Sequence, residues 1–181
     1  TARIASLIFT PFYLPIIGLI ALFAFSYLSQ LLPWYYKLTV LFMAYIFTVL
    51  LPTLLIHLYR KYQGWSLLDL GSKERRMIPY VISIVCYFAC YYIMNLYRIP
   101  HFISSILVSA LAIQIICALI NVWWKVSTHT AAIGGVTGAL LSFAMLFQFD
   151  PTWWLCLVMF VAGVVGSSRM ILRQHNLLQV V

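Results

Sequence analysis

Three short polar clusters interrupt an otherwise apolar sequence, and their side chains are of the types that bind phosphate and transfer protons. Their main members are Lys73, Arg75 and Arg76 in cluster 1 (residues 69–79), Lys125, Ser127 and His129 in cluster 2 (125–129), and Ser168, Arg169 and His175 in cluster 3 (167–175). Arginine offers a planar fork to two phosphate oxygens, and lysine offers a mobile positive charge. An imidazole titrates near neutral pH, so a histidine can act as nucleophile, acid or base. The clusters therefore predict an anion site with two histidines available for catalysis.

The elements that position these clusters must lie in a lipid bilayer. Hydrophobic residues make up 65% of the 181 residues and charged residues only 8%. Soluble domains have roughly 45–50% and about 25%, respectively, and a domain of this size could not bury so much apolar surface. This composition excludes a cytosolic enzyme, a disordered chain, a small disulfide scaffold and a nucleic-acid-binding protein, even though the net charge is +8.

The apolar residues form long continuous segments without the alternation of a membrane β-barrel. A helix needs about 20 mainly apolar residues to cross a bilayer. We therefore predict an all-α, polytopic transmembrane helix bundle with six spans. Their approximate bounds are Ile4–Leu28, Leu38–Tyr59, Ile78–Tyr97, Pro100–Val122, Thr130–Phe147 and Thr152–Gly166.

The spans form one integral membrane domain, residues 1–181. The apolar stretch after His175 predicts the start of a further helix, but it is far too short to cross the bilayer. Because the chain also begins at Thr1 rather than at a methionine, we expect a piece of a longer protein that is truncated at its C-terminus.

The two faces of the predicted bundle differ in charge. The short links between spans fall on one face, side B, with Lys37 and Arg98, and the longer links fall on the opposite face, side A. The cations of side A are Arg3, Arg60, Lys61, Lys73, Arg75, Arg76, Lys125, Arg169 and Arg173. An even number of spans separates the clusters, so all three reach side A. The positive-inside rule favours a cytoplasmic side A in a bacterial inner membrane, unless part of the charge belongs to a binding site, so the side of the active site stays open.

Other polar or small residues have structural interpretations. We expect the four cysteines, including the helical pair Cys86 and Cys90, to be small core residues rather than metal ligands. Gly134, Gly135 and Gly138 predict close helix packing, which Gly163 would also allow. The tryptophan pairs at 123–124 and 153–154 predict aromatic belts at the two membrane interfaces, and His57 and His101 are interpreted as interface residues.

The spacing within the clusters resembles the signatures of the type 2 phosphatidic acid phosphatase family, whose fold is shared with vanadium haloperoxidases. Ser168-Arg169, five residues and His175 resemble its SRxxxxxHxxxD element. Val126-Ser127-Thr128-His129 resembles its PSGH element, and residues 73–79 resemble a degenerate KxxxxxxRP element. The family's all-helical membrane bundle agrees with the predicted spans.

The resemblance implies a metal-independent phosphatase without a cofactor. His175 would be the nucleophile that forms a phosphohistidine, and His129 would be the general acid and then the general base. The residues that would hold the phosphate oxygens are Arg169, Arg76, Lys73 and Ser127, with Lys125 as an extra ligand outside the family consensus.

Two departures from the family pattern concern the charged groups. Gln179 stands where the family has the carboxylate that orients the nucleophile, so its amide can orient the ring but supplies no charge. Asp69 or Glu74 are the alternatives on side A. In cluster 1 we choose Arg76 over Arg75 as the phosphate ligand.

The expected partners are a lipid phosphate substrate and membrane lipids, without nucleic acid, and the oligomeric state is open. Phosphatidic acid, phosphatidylglycerol phosphate, undecaprenyl pyrophosphate and a lipid A phosphate all fit the pattern. A phosphotransferase that uses the same phosphohistidine is one alternative. A non-catalytic binder or transporter of lipid phosphates is the other.

Overall fold

The computed structural model describes residues 12–25, 32–64, 73–124, 127–148 and 150–171. All regular secondary structure in these ranges is helical. The elements are α1 (Leu14–Phe25), α2 (Trp34–Tyr45), a π-helical turn (Ile46–Leu50), α3 (Leu51–Gln63), α4 (Lys73–Leu96), α5 (His101–Trp123), α6 (Thr128–Phe147) and α7 (Thr152–Ile171).

Four helical segments are long and apolar enough to cross a membrane. They are Trp34–Gln63, Met77–Leu96, His101–Trp123 and Thr128–Leu146. The all-helical membrane architecture is thus confirmed, and the described residues provide four of the six predicted spans at full length. The apolar part of α7, Thr152–Ser168, is shorter; 17 residues at 1.5 Å each cover about 26 Å. In α1 only 12 residues are described. Residues 4–11 and 26–28 of the predicted first span, like the stretch after His175, lie outside the described residues.

Prolines and a glycine define several helix ends. Pro33 and Pro100 directly precede α2 and α5, where a missing backbone N–H costs nothing. Gly64 ends α3 in the left-handed conformation, with φ 65°, and its N–H donates to the carbonyl of Lys61 at 3.3 Å. A side chain at this φ would be strained, so glycine suits the position.

Pro52 explains the π-helical turn inside the second span. A proline within a helix removes one backbone hydrogen bond, and its ring clashes with the carbonyl four residues earlier, here that of Thr48. The chain widens into a π-helical turn over Ile46–Leu50 and resumes as α3. The span therefore continues through the proline instead of breaking.

The helix α5 lies at the centre of the bundle. It packs against α1, α4 and α6, while α7 packs against α6, and α3 with the π-helical turn packs against α4. The largest buried apolar cluster, the side B core, comprises Leu19, Leu22, Phe23, Val40, Ala44, Cys90, Met94, Ile99, Ile103 and Leu107. They lie near the ends of α1 and α4, in the first half of the span 34–63, in the link at residue 99 and near the beginning of α5, so the core is in the side B half.

Large apolar side chains remain exposed on the outside of the bundle. Phe42 is 66% exposed and Phe160 is 73% exposed, and many other aliphatic residues resemble them. A water-soluble protein rarely leaves so much contiguous apolar surface uncovered. Trp123 and Trp153, near opposite ends, are also exposed, as amphipathic rings at a membrane interface would be. These surfaces fit a bundle whose solvent is lipid.

Close helix packing was predicted at several glycines, and the structure supports it at one of them. A Cβ atom added to Gly135 would collide with Cδ1 of Ile113, so α5 and α6 approach closely there. The prediction is wrong for Gly134, Gly138 and Gly163, where an added Cβ would meet nothing within 4 Å. These glycines face open space, because only one side of each helix meets a neighbour.

The cysteines largely behave as predicted. Cys86, Cys90 and Cys117 are buried between helices, as expected of small core residues. Cys156 on α7 is exposed, and for this residue the core interpretation is wrong. In lipid both faces of a helix can be apolar, so an apolar environment in the sequence does not identify a core position.

Candidate anion site

The helix directions bring the three clusters to one end of the bundle. A four-residue link, 97–100, joins α4 to α5, and the short segment 148–151 joins α6 to α7; the helices of each pair pack against each other. These pairs are therefore antiparallel. The beginning of α4, the end of α5, the beginning of α6 and the end of α7 consequently lie at side A.

Among the predicted site residues, the structure describes cluster 2 most fully. Ser127 and His129 are described with their side chains. The predicted ligands Lys73 and Arg76 lie in the first turn of α4, and Arg169 lies near the end of α7; only their backbone positions are described. The residues outside the described part of the chain are Lys125, His175, Gln179 and Asp69.

Residues 73–79 of cluster 1 are part of a helix rather than of a link before one. The predicted third span begins at Ile78, whereas α4 begins at Lys73 and continues through Pro79. The Ser83 hydroxyl donates to the carbonyl of Pro79 at 2.7 Å, one turn later. Lys73, Arg75 and Arg76 thus lie in the first turn of α4, at its side A end.

Ser127 occupies the residue position before α6, where a serine hydroxyl normally caps the helix. Its backbone is extended, and its carbonyl accepts hydrogen bonds from the N–H of Ala131 at 3.1 Å and the hydroxyl of Thr130 at 3.0 Å. A capping serine accepts a bond from the second or third N–H of the helix. The Ser127 side chain makes no such bond although it is fully buried, at 0% exposure.

The buried Ser127 hydroxyl has no hydrogen-bond partner among the described residues. Leaving a buried hydroxyl unpaired costs about 1–3 kcal/mol, so such groups usually have a partner. The serine that would normally cap α6 thus keeps a buried hydroxyl without a described partner at the start of the helix. This arrangement is the most informative local feature of the site.

His129 lies in the first turn of α6, two residues after Ser127. The residue is half-buried, and its Nδ1 atom is enclosed. One side of the imidazole therefore faces the protein while the remainder of the side chain reaches the surface. A histidine in this position can exchange protons with a bound molecule.

The beginning of α6 is electrostatically suited to an anion. The first N–H groups of a helix have no partner within it, and the helix dipole places partial positive charge there. No acidic residue stands in the first turn of α6 to compensate this charge. Phosphate groups are bound at helix N-termini for these two reasons.

The end of α7 contributes a groove that runs away from side A. It has a volume of about 450 Å³ and is lined by Met159, Phe160, Gly163, Val164, Ser167, Ser168 and Ile171. Ser167 and Ser168 lie near its side A end, with Ile171 beyond them, and the remaining lining is apolar. The Ser168 hydroxyl donates to the carbonyl of Val164 at 2.7 Å. Because this hydrogen bond occupies the hydroxyl proton, the groove offers few free polar groups between Ser168 and its Met159 end.

Asn121, near the end of α5, is a buried polar residue that the sequence analysis did not single out. It is 3% exposed, and its side-chain amide donates to the Met77 sulfur at 3.6 Å. The contact ties the side A ends of α4 and α5 together. The sequence could have indicated this buried polar contact, because Asn121 is a lone asparagine in an apolar span.

Among the described residues, no three His, Cys, Asp or Glu side chains are grouped closely enough to hold a metal ion. The groups that the described part of the site offers are a hydroxyl, an imidazole and helix N–H donors. Comparison of the chain with protein-family models, curated proteins and solved structures finds no match. The resemblance to the phosphatase family therefore rests on the three sequence motifs.

Proposed function

We propose that the protein is an integral membrane lipid phosphatase of the type 2 phosphatidic acid phosphatase kind, resident in a bacterial inner membrane. It removes a terminal phosphate from an amphiphilic phosphomonoester or pyrophosphate. The observation that carries the proposal is the fully buried hydroxyl of Ser127, which neither caps α6 nor pairs with another described residue. A phosphate oxygen at the start of α6 would satisfy it.

The charge distribution supports a phosphate as the ligand. The first turn of α6 has N–H donors and no acidic residue. Lys73, Arg76 and Arg169 lie on helix ends at the same side of the bundle. Cations and helix dipoles stabilise the charge that develops on phosphoryl oxygens in the transition state.

The two histidines supply a balanced two-step reaction. In the first step, a ring nitrogen of His175 attacks phosphorus, the bond from phosphorus to the lipid oxygen breaks, and protonated His129 gives that oxygen its proton. In the second step, neutral His129 takes a proton from water while the water oxygen attacks phosphorus. The bond to His175 breaks, inorganic phosphate leaves, and both histidines return to their initial states.

The groove along α7 supports an amphiphilic substrate. Its polar end adjoins the backbone position of Arg169, and its apolar lining descends toward the middle of the bilayer. A phosphorylated headgroup at side A and an acyl or prenyl chain along α7 would match this polarity. A water-soluble phosphate ester would leave the groove unused.

The decisive experiment measures phosphate release from a panel of lipid phosphates in detergent or vesicles. Wild type is expected to release phosphate from at least one, and His175→Ala to release none while keeping affinity for the lipid. His101→Ala is the matched control, because His101 is an exposed histidine at the opposite end of the bundle. No release by wild type, or equal release by His175→Ala, would overturn the proposal.

The same assay separates the alternatives. A binder or transporter would retain the lipid phosphate without turnover in any variant. A phosphotransferase would move the phosphoryl group to an added alcohol such as glycerol in preference to water. The ratio of phosphorylated alcohol to inorganic phosphate therefore distinguishes the two enzymatic reactions.

Membrane orientation follows from labelling introduced cysteines in intact cells. The charge bias predicts that Tyr62→Cys, at side A, resists a membrane-impermeant thiol reagent and that Tyr35→Cys, at side B, reacts. Both wild-type side chains are strongly exposed, at 88% and 73%, so either cysteine would be accessible on its own side. The reverse labelling pattern would place the site at the outer face.

A further inference from the structure

A group of buried polar side chains lies deep inside the bundle, away from the anion site. Thr48 in the π-helical turn is 0% exposed, Tyr87 on α4 is 1% exposed, and Gln114 on α5 is 7% exposed. All three are neutral. They stand on three different elements, and both the π-helical turn and α5 pack against α4.

The three residues lie at a similar depth. Thr48 is 14 residues beyond Trp34 and Gln114 is 13 residues beyond His101, which places both about 20 Å from the side B ends of their helices. Tyr87 lies nine residues before the end of α4, or about 14 Å from side B. Side chains on a helix lean toward its N-terminus, which for α4 is side A, so the phenol ring extends toward the level of the other two.

Two hydroxyl groups in this region have no hydrogen-bond partner among the described residues. They are Oγ1 of Thr48 and the phenolic oxygen of Tyr87. The Tyr87 hydroxyl lies beside the side-chain amide of Gln114, but outside hydrogen-bond geometry. Both hydroxyls are sealed from the bilayer and from either aqueous phase.

Other hydroxyls in the bundle behave differently. Thr53 donates to the carbonyl of Val49 at 2.7 Å, and Thr137 donates to that of Ile133 at 3.0 Å. A threonine or serine in a membrane helix commonly satisfies itself in this way. Thr48 does not, although the same type of acceptor lies one turn before it, so its hydroxyl needs a partner from elsewhere.

We infer that Thr48, Tyr87 and Gln114 form a buried water-binding site that joins the π-helical turn to α4 and α5. A buried water needs two to four polar partners, and two hydroxyls with a neighbouring amide provide them. The near-zero exposure of Thr48 and Tyr87 favours a ligand as small as water. The bound water satisfies polar groups that lipid cannot.

The site has a structural consequence for the fold. The turn at Ile46–Leu50 departs from α-helical geometry because of Pro52, and such turns are weaker than the helix around them. A water bonded to Thr48 on one side and to Tyr87 on the other anchors the turn to its neighbours. This inference does not depend on the proposed phosphatase activity.

Thermal unfolding of the purified protein in detergent tests the site. Thr48→Val keeps the shape of the side chain and removes the hydroxyl, and Tyr87→Phe does the same on α4. Each is expected to lower the Tm by about 2–4 °C, because each leaves the water and the opposite hydroxyl underbonded. Thr137→Val is the control, since its hydroxyl bonds only within its own helix, and its Tm should stay within about 1 °C of wild type.

The double variant decides whether both residues serve one water. If they do, the Tm of Thr48→Val/Tyr87→Phe falls no further than that of the worse single variant. Unchanged or raised Tm values in the single variants, or strictly additive losses, would overturn the inference. A crystal structure grown in lipid mesophase gives a direct second measurement: a water peak within about 3 Å of both hydroxyl oxygens is expected, and its absence contradicts the site.

Discussion

The two halves of the bundle are built from different chemistry. The side B half contains the apolar core, with Leu107, Met94 and Ile103 fully buried. Ser104, buried among them, donates its hydroxyl to the carbonyl of His101. In the side A half, buried polar groups accumulate, and the Ser127 hydroxyl is left without a described partner. Side B is thus arranged for stability, whereas side A holds polar groups at a cost that stability alone does not justify.

Under the proposed function, this difference separates the site at side A from the core at side B. Closed apolar packing and short links that end in proline hold the helices at side B. The same helices extend to side A, where their ends position the described residues of the three clusters. Substitutions at side A should therefore lower turnover, whereas substitutions in the side B core should lower the free energy of unfolding.

The largest expected effect concerns His129 at side A. His129→Ala should lower kcat for phosphate release by about 10²–10⁴-fold, because general acid–base catalysis contributes that much. KM and the Tm should change little, since the residue is half-buried at a helix end. A Tm loss large enough to explain the missing activity would instead make His129 a structural residue and remove the contrast between the halves.

The next effect concerns Leu107 in the side B core, which is fully buried. Leu107→Ala should lower the free energy of unfolding by about 2–5 kcal/mol, through lost transfer energy and a cavity. At temperatures where the variant stays folded, its kcat/KM should match that of wild type. Leu141→Ala on the exposed surface of α6 is the control, with little change in either quantity. Equal stability losses for the two leucines would show that side B has no dominant core.

A smaller effect is expected for the Ser127 hydroxyl. Ser127→Ala should reduce kcat/KM about 10–100-fold, because a hydrogen bond to a charged group is worth about 1.5–3 kcal/mol. Without substrate, its Tm should equal or exceed that of wild type, since an unpaired buried hydroxyl is removed. Unfolding curves and initial rates on the same preparation check both statements. A lower Tm with unchanged kcat/KM would mean that the hydroxyl serves the fold.

The smallest effect belongs to Asp150 at the side B link before α7. Its carboxylate accepts hydrogen bonds from the N–H and the hydroxyl of Thr152, which hold its pKa below the ordinary value of 3.8. A carboxyl whose pKa is lowered on folding stabilises the protein above the unfolded pKa, and this contribution disappears as pH falls through the folded value. The Tm of wild type should therefore drop slightly more than that of Asp150→Asn between pH 5 and pH 3. Equal changes of Tm with pH in the two proteins would show that the Asp150 carboxylate does not contribute to stability.

The sequence predicts part of this fold because some of its rules are local. Long apolar segments must be helical in lipid, and Pro100 marks in the sequence where α5 begins. The bounds of the helices and the continuation of α4 through Pro79 were harder to predict from the sequence. The reason is that amino-acid composition changes only gradually from the membrane core to the interface.

Which face of each helix is buried could not be predicted in the same way. In water an amphipathic pattern identifies the buried face, but in lipid both faces are apolar, so Cys156 and Gly134 gave no sign of their exposure. The convergence of Thr48, Tyr87 and Gln114 depends on how three elements pack, and no local pattern encodes it. Ser127 and His129 could be proposed as site residues from the sequence because the spacing of their motif is local.

The central claim is that side A transfers a phosphoryl group through a histidine, and a trapped intermediate tests it most directly. Purified protein is mixed with a lipid phosphate carrying a radioactive phosphoryl group and quenched rapidly in alkali, in which phosphohistidine is stable. We expect protein-bound label that is released by mild acid, is present in wild type and His101→Ala, and is absent in His175→Ala. Phosphate release without any bound label, or label that persists in His175→Ala, would contradict the account.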